Sequence, residues 1–222
     1  MLEAFNLHKT YQQAASQLHV LKGVSLKIKK GDFLSVVGPS GAGKSTLLHI
    51  LGGLDRPSDG KVVLDGQEIY ALNDRERARI RNRKVGFVFQ FYHLLPEFTA
   101  LENVILPGLI KQDRTNGQAV QTKGLSLLDK VGLKARATHR PSELSGGEQQ
   151  RVAIARSLIN DPEIIFCDEP TGNLDSQSGA EVIQLLMELN RDNQQTLVVV
   201  THDEHIAKLS HAVIHIRDGK LL

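Results

Sequence analysis

Tryptophan is absent from the 222 residues, and the chain has two methionines and three tyrosines. A single cysteine, Cys167, excludes an internal disulfide and suits a reducing compartment. Neither sign of charge dominates. The 27 Lys and Arg against 25 Asp and Glu leave a net charge of +2, which makes no general case for nucleic acid. Long apolar runs are also missing. IIFC (164–167) and LVVV (197–200) have the length of buried strands, far short of the roughly 18 residues that a membrane helix needs. The opening residues, MLEAFNLHKTYQQ, lack the basic-then-apolar pattern of a signal peptide. The expectation is a chain that docks on a membrane component without crossing the bilayer. No internal repeat, low-complexity tract or long linker is visible.

What is present reads as alternating strands and helices. In the first third, Val20 to Ile28 alternates apolar with polar residues, and FLSVVG (33–38) is a short buried-type strand. STLLHILGG suits a helix. RPSDGKVVLDGQEI carries Asp-Gly pairs at 59–60 and 65–66, both read as hairpin or turn signals. This third as a whole reads as strands and turns. From about Thr99 to Asn160 the pattern becomes helical, with Val152, Ala155, Leu158 and Ile159 on one face of the last helix. The final third alternates again and ends in a hairpin with Asp218-Gly219 at its turn. Such alternation predicts a largely parallel sheet with helices on both faces, interrupted by helices at roughly 91–160.

Gly38-x4-Gly43-Lys44-Ser45 lies between a predicted strand and a predicted helix. In that context its glycines let backbone N–H groups converge on phosphate oxygens, and the helix N-terminus adds its positive end. Lys44 is placed to reach the β- and γ-phosphates and Ser45 to ligate Mg2+. IIFCDE (164–169) then supplies an acidic strand end. Asp168 would hold Mg2+ through water, and Glu169 would orient or deprotonate an attacking water. Cys167 is expected to fill core space. A second glycine pair, Gly146-Gly147, sits between Ser145 and Glu148, which have capping-box spacing. That arrangement is either a second anion seat or an ordinary capped helix.

LSGGEQQR at 144–151 resembles the signature motif of ABC-transporter ATPases. The other pieces follow in that family's order: Tyr11, GPSGAGKST, Gln90 in VFQF, LSGGE, IIFCDE, Asn173-Leu174-Asp175, and His202 in VVVTHD. The resemblance covers essentially the whole chain. It implies an α/β fold with a P-loop NTPase (RecA-like) core, antiparallel β elements and an inserted helical subdomain. The core would comprise residues 1–90 and 161–222, and the subdomain residues 91–160.

By this resemblance the ligands are ATP and Mg2+. Lys44, Glu169 and His202 would be catalytic. Tyr11 would stack on adenine, and Gly38, Pro39, Ser40, Gly41, Ala42, Gly43, Lys44, Ser45 and Thr46 would hold the phosphates. Gln90 would meet Mg2+ or water beside Ser45 and Asp168. Two copies would pair head to tail, so that Ser145, Gly146, Gly147 and Glu148 serve the partner's ATP and Asp175 lies at the seam.

The phrases STLLHILGGLDRPSDG and HLLPEFTALENV are similar to a branch that holds lipoprotein-releasing and macrolide-exporter type ATPases, and most similar to the former. This implies separate integral membrane subunits as partners and a peripheral place on the cytoplasmic face of a bacterial inner membrane. Phe91, Tyr92, Leu94, Leu95 and Phe98 would form part of a groove for a helix of those subunits, or ordinary subdomain core. The basic run DRERARIRNRK (74–84) reads as a solvated face, near anionic headgroups rather than nucleic acid. A small-molecule exporter ATPase is the nearest alternative. A soluble ABC ATPase acting on ribosomes or DNA would show fused domains, a long insertion or zinc-binding cysteines, and a non-hydrolysing scaffold would not need Glu169 with His202.

Overall fold

A computed structural model describes residues 1–13, 16–111 and 117–222. Two sheets form its frame. The first is antiparallel and contains β1 (Leu2–Gln13), β2 (Ser16–Ile28), β4 (Asp59–Leu64) and β5 (Gln67–Glu68), in the order β2-β1-β4-β5. The second runs β10-β9-β3-β8-β7-β6, from β3 (Phe33–Val37), β6 (Val85–Phe89), β7 (Ile164–Asp168), β8 (Thr196–Thr201), β9 (Ala212–Arg217) and β10 (Lys220–Leu221). Strands β9, β3, β8, β7 and β6 are parallel, and β10 closes the edge as an antiparallel hairpin.

The apolar runs of β7 and β8 follow from this placement. Both strands are covered on both faces, so successive side chains are all buried. Ile164, Phe166, Val198 and Val200 pack toward the antiparallel sheet and α1 (Lys44–Leu51). Ile165, Cys167, Leu197 and Val199 pack the other way, against α6 (Ser176–Asn193), α7 (Glu204–Leu209) and Ile154 of α5 (Gly146–Leu158). Cys167 is fully buried and burial pushes its thiol pKa up, so it is core filler as expected. A third apolar cluster joins α3 (Ala100–Ile110), α4 (Gly117–Lys130) and α5, and Val152, Ala155 and Ile159 all belong to it.

Three details differ from the sequence reading. Residues Asp74–Lys84 form a helix, α2, in a stretch where the sequence reading placed no strand or helix. Its start is marked by a complete Asn73–Glu76 capping box. No residue of α2 is fully buried, so the run shows no apolar stripe to betray the helix. The run is also not simply a solvated face. Arg81 donates to the Gly53 carbonyl at 2.9 Å, and the Arg77 guanidinium lies 5.6 Å from the centre of the Tyr70 ring. Finally, Asp65-Gly66 and Asp218-Gly219 turn hairpins with both residues at positive φ, but Asp59-Gly60 opens β4 instead. A Cβ on Gly60 would stand 2.4 Å from the Asn6 carbonyl oxygen, so this glycine permits close strand approach.

Candidate functional site

Register brings the predicted residues to one edge. In the parallel sheet Val37 pairs with Thr201, Asp168 with Val200, and Phe89 with Asp168. Four strands therefore end nearly level, and the residues that follow, Gly38, Gln90, Glu169 and His202, emerge at the same carboxyl edge. Crevices at such edges are where open α/β sheets bind ligands.

The loop from Gly38 to Gly43 links β3 to α1. A Cβ on Gly38 would collide with the Ile216 carbonyl oxygen at 2.1 Å, so only glycine lets β9 pass. Pro39, Ser40 and Gly41 are exposed, while Ala42 is buried and accepts a backbone hydrogen bond from Gly219 at 3.2 Å. Lys44 is buried, and its Nζ donates to the carbonyls of Gly38 at 2.8 Å and Pro39 at 3.1 Å. Among the described residues this ammonium has no carboxylate ion-pair partner. A buried cation surrounded by a loop of backbone groups is a fit for a phosphate anion.

Ser45 Oγ donates to Asp168 Oδ1 at 3.0 Å. Burial raises the Asp168 pKa above its ordinary value, while the Ser45 hydrogen bond opposes that shift. A hydroxyl and a destabilised carboxylate side by side are hard oxygen donors of the kind Mg2+ takes. Glu169 sits in left-handed backbone geometry at φ 46°, a conformation that costs a non-glycine residue on the order of 1–3 kcal/mol. Its Oε2 lies 2.9 Å from Nδ1 of His202, whose side chain is 74 % exposed and open to a ligand.

Tyr11 stands at the flank. Its hydroxyl donates to Asp55 Oδ2 at 2.6 Å and it also interacts with Thr46. Lys9 lies 4.6 Å from the ring centre and forms an ion pair with Asp55. Among the described residues no hydrogen bond joins Gln90 to Ser45 or Asp168. Gln90 donates to Asn173 Oδ1 at 3.1 Å, and Asn173 Nδ2 donates back to the Gln90 carbonyl at 3.0 Å.

The signature residues form a separate group. Ser145 caps α5 by accepting from the Glu148 N–H at 3.2 Å, and Glu148 Oε2 accepts from the Ser145 N–H at 2.8 Å. The Ser145 backbone hydrogen bond holds the Glu148 carboxyl below its usual range, with Arg136 adding to it at 3.1 Å. Gly147 is packed so closely that a Cβ would lie 2.9 Å from the Ser178 Cβ. Asp175 caps α6 and accepts from the Ser178 hydroxyl at 2.7 Å. Thus 145–148 and Asp175 adjoin one another through Ser178. Among the described residues, no hydrogen bond joins this group to Lys44, Ser45, Asp168, Glu169 or His202.

The aromatic segment after Gln90 divides. Phe91, Leu95 and Phe98 are exposed, whereas Leu94 packs on the helical cluster and the Tyr92 hydroxyl borders Gly146. Nearby, a groove of about 450 Å³ is lined by Phe87, Phe89, His93, Pro107, Ile110 and Arg156. Asp55 and Ser178 were not singled out by sequence reasoning, and Asn173 was named only as part of Asn173-Leu174-Asp175, with no role of its own. His211, for which no role was predicted, accepts from the Phe33 N–H at 3.2 Å and is structural.

A phosphate-type loop at a parallel-sheet edge, with an acidic strand end beside it, defines a nucleotide-hydrolysing P-loop protein. The comparisons narrow the class. The sequence profile of a family described as "ABC transporter" matches residues 21–172, and the chain belongs to that family. Lipoprotein-releasing system ATP-binding protein LolD of Legionella pneumophila (strain Lens) is 48 % identical over 224 aligned residues, spanning 100 % of this chain and 96 % of the relative. The protein of the same name from Acinetobacter baylyi is 49 % identical over 219 residues, spanning 99 % and 96 %. The dimeric ATP-binding cassette MJ0796, in a post-hydrolysis state bound to ADP and Pi, superposes with a TM-score of 0.92 at 45 % identity, covering 100 % of this chain and 96 % of that one. The chain is an ABC ATPase. No helix among the described residues is long and apolar enough to cross a membrane.

Proposed function

We propose that this chain is the ATP-hydrolysing subunit of a complex that releases lipoproteins from the bacterial inner membrane, and that it acts on separate integral membrane subunits from the cytoplasmic face. The observation that carries the ATPase half is the single sheet edge where Lys44, Ser45, Asp168, Glu169 and His202 meet. The cargo rests on the near-half identity, over almost the full length, to proteins named for lipoprotein release.

In this reading residues 1–90 and 161–222 form the nucleotide-binding core and 91–160 the helical subdomain. The loop 38–46 wraps the phosphates and Lys44 exchanges its carbonyl partners for phosphate oxygens. Tyr11 presents its ring to the adenine. Ser45, Asp168 and Gln90 are the residues that would hold Mg2+, Gln90 once freed from Asn173. Bound Mg2+ would neutralise charge on the β- and γ-phosphates. Glu169 accepts a proton from the attacking water, and His202 holds the Glu169 carboxylate while reaching the γ-phosphate.

Among the described residues no hydrogen bond joins the signature group to Lys44, Ser45, Asp168, Glu169 or His202, which supports its serving a second copy. Ser145 and the N–H groups of Gly146 and Gly147 meet the partner's γ-phosphate, Glu148 keeps the cap intact, and Asp175 lies at the seam. ATP closes the pair and loss of the γ-phosphate opens it. The exposed Phe91, Leu95 and Phe98 beside the 450 Å³ groove suit a helix of the membrane subunit.

The test is purification of tagged Glu169→Gln protein from detergent-solubilised membranes, with mass spectrometry. Membrane subunits together with lipoproteins support the reading. Membrane subunits with no lipoproteins would remove the cargo, and ribosomes or DNA-repair proteins in their place would remove the membrane assignment.

A further inference from the structure

Gln150 lies in the second turn of α5 and is fully buried. Its Nε2 donates to two backbone carbonyls, Phe89 at 3.3 Å and Pro170 at 2.6 Å. Their positions are specific. Phe89 ends β6 and directly precedes Gln90, while Pro170 directly follows Glu169. One side chain of the signature helix therefore holds the backbone just before Gln90 and just after Glu169.

The amide is not explained by filling space. Gln150 Oε1 is buried and has no hydrogen-bond partner among the described residues. An orphaned acceptor of this kind costs on the order of 1–3 kcal/mol, which a leucine of similar volume would avoid. Reversing the amide would aim Oε1 at two carbonyl oxygens and leave both unpaired, so the hydrogen bonds set its orientation. What glutamine adds over leucine is a directional link from the helix to two loops. Between Ser145 and Gln150 the chain is continuous helix, so a displacement of the signature loop moves Gln150 with it.

We propose that Gln150 is a positioning residue that couples the two nucleotide sites. Seating of the partner's ATP on residues 145–148 sets α5, and Gln150 carries that setting to the carbonyls flanking Gln90 and Glu169 in its own chain. Glu169 is then aligned for hydrolysis only when the facing site is filled. This rests on the proposed reading that 145–148 serves a second copy and that Glu169 handles the attacking water.

Two substitutions in the full-length protein test it. Gln150→Leu keeps the volume and removes both hydrogen bonds. Gln150→Glu keeps the shape, but its carboxylate repels both carbonyls until it is protonated, when its O–H can donate to one of them. Phosphate release is followed against ATP concentration from about pH 8 to about pH 6, with nucleotide affinity and Tm measured alongside. The expected result at about pH 8 is a kcat lower by about tenfold or more in both variants, with KM for ATP within about twofold of wild type. Gln150→Glu recovers activity relative to wild type toward low pH, and Gln150→Leu does not.

A wild-type kcat in Gln150→Leu overturns the proposal. So does a joint fall in ATP affinity and Tm with no recovery of Gln150→Glu at low pH, which marks a purely structural role. If Gln150→Leu does not fold, the pH profile of Gln150→Glu decides alone. Glu169→Gln runs in the same assay. If it hydrolyses ATP at the wild-type rate, the underlying reading of Glu169 fails and the proposal falls with it. If Glu169→Gln is inactive while the Gln150 variants match wild type, only the proposal falls.

Discussion

The phosphate loop and the signature loop share one device, backbone N–H groups at a helix N-terminus, but they are assembled in opposite ways. At the phosphate loop the partners come from far along the chain. Ser45 and Asp168 are 123 positions apart, and Glu169 meets His202 across 33. The signature loop completes itself within four residues, through the reciprocal bonds of Ser145 and Glu148. An anion seat needs only local backbone geometry. Proton transfer and metal binding need side chains aimed from several strand ends, which only a sheet can supply.

Substitutions in the two regions should break this contrast differently. The largest effect is expected at the sheet edge. Glu169→Gln should lower steady-state phosphate release by about a hundredfold or more while leaving ATP binding intact. Light scattering with ATP should then show a dimer, and a persistent monomer across a wide protein range would count against the shared site. Gly147→Val comes next. Its side chain would crowd Ser178, so hydrolysis should fall by about tenfold or more while nucleotide affinity of the monomer stays near wild type. Equal losses in affinity and rate would mean that the two half-sites are not separable.

Two smaller effects are read as stability, one of them at Ser145, which is also proposed to meet the partner's γ-phosphate. Cys167→Ser buries a hydroxyl among apolar neighbours and should cost about 1–3 kcal/mol in urea unfolding, with kcat unchanged. Ser145→Ala removes the cap of α5 and should cost about 1 kcal/mol, a fall in Tm of about 2–4 °C.

The smallest effect is in the pH response. The native Glu148 carboxyl is held below its usual range, chiefly by the Ser145 N–H. Its contribution is therefore present above the unfolded value and is lost as pH falls below that value through the lowered native one. The Tm advantage of wild type over Glu148→Gln should shrink across that window. A constant difference would mean that the cap does not depend on the charge.

Much of the site was legible because its motifs are compact. GPSGAGKST, IIFCDE and LSGGE each place their chemistry within a few residues, and their flanking apolar runs announce strand or helix. Other features left no such mark. Helix α2 carries almost no apolar residue, so periodicity was silent and only the Asn73–Glu76 cap could have disclosed it. Asp59-Gly60 and Asp65-Gly66 look alike, yet only the second turns a hairpin, because Gly60 meets the backbone of Asn6, more than fifty positions earlier.

The sequence by itself determined the local devices: the glycine loop before α1, the capping box of α5, the buried strand that ends in two acids, and the one cysteine that can only fill core. The tertiary structure decided what those devices face. Strand register set Gly38, Gln90, Glu169 and His202 along one edge, packing tied Gln90 to Asn173, and Gln150 was joined to the carbonyls of Phe89, at the end of β6, and Pro170, in the turn after β7. The physical reason is range. Capping and turn preferences act over three or four residues, whereas strand pairing and burial join residues tens to more than a hundred positions apart, and no short stretch contains that information.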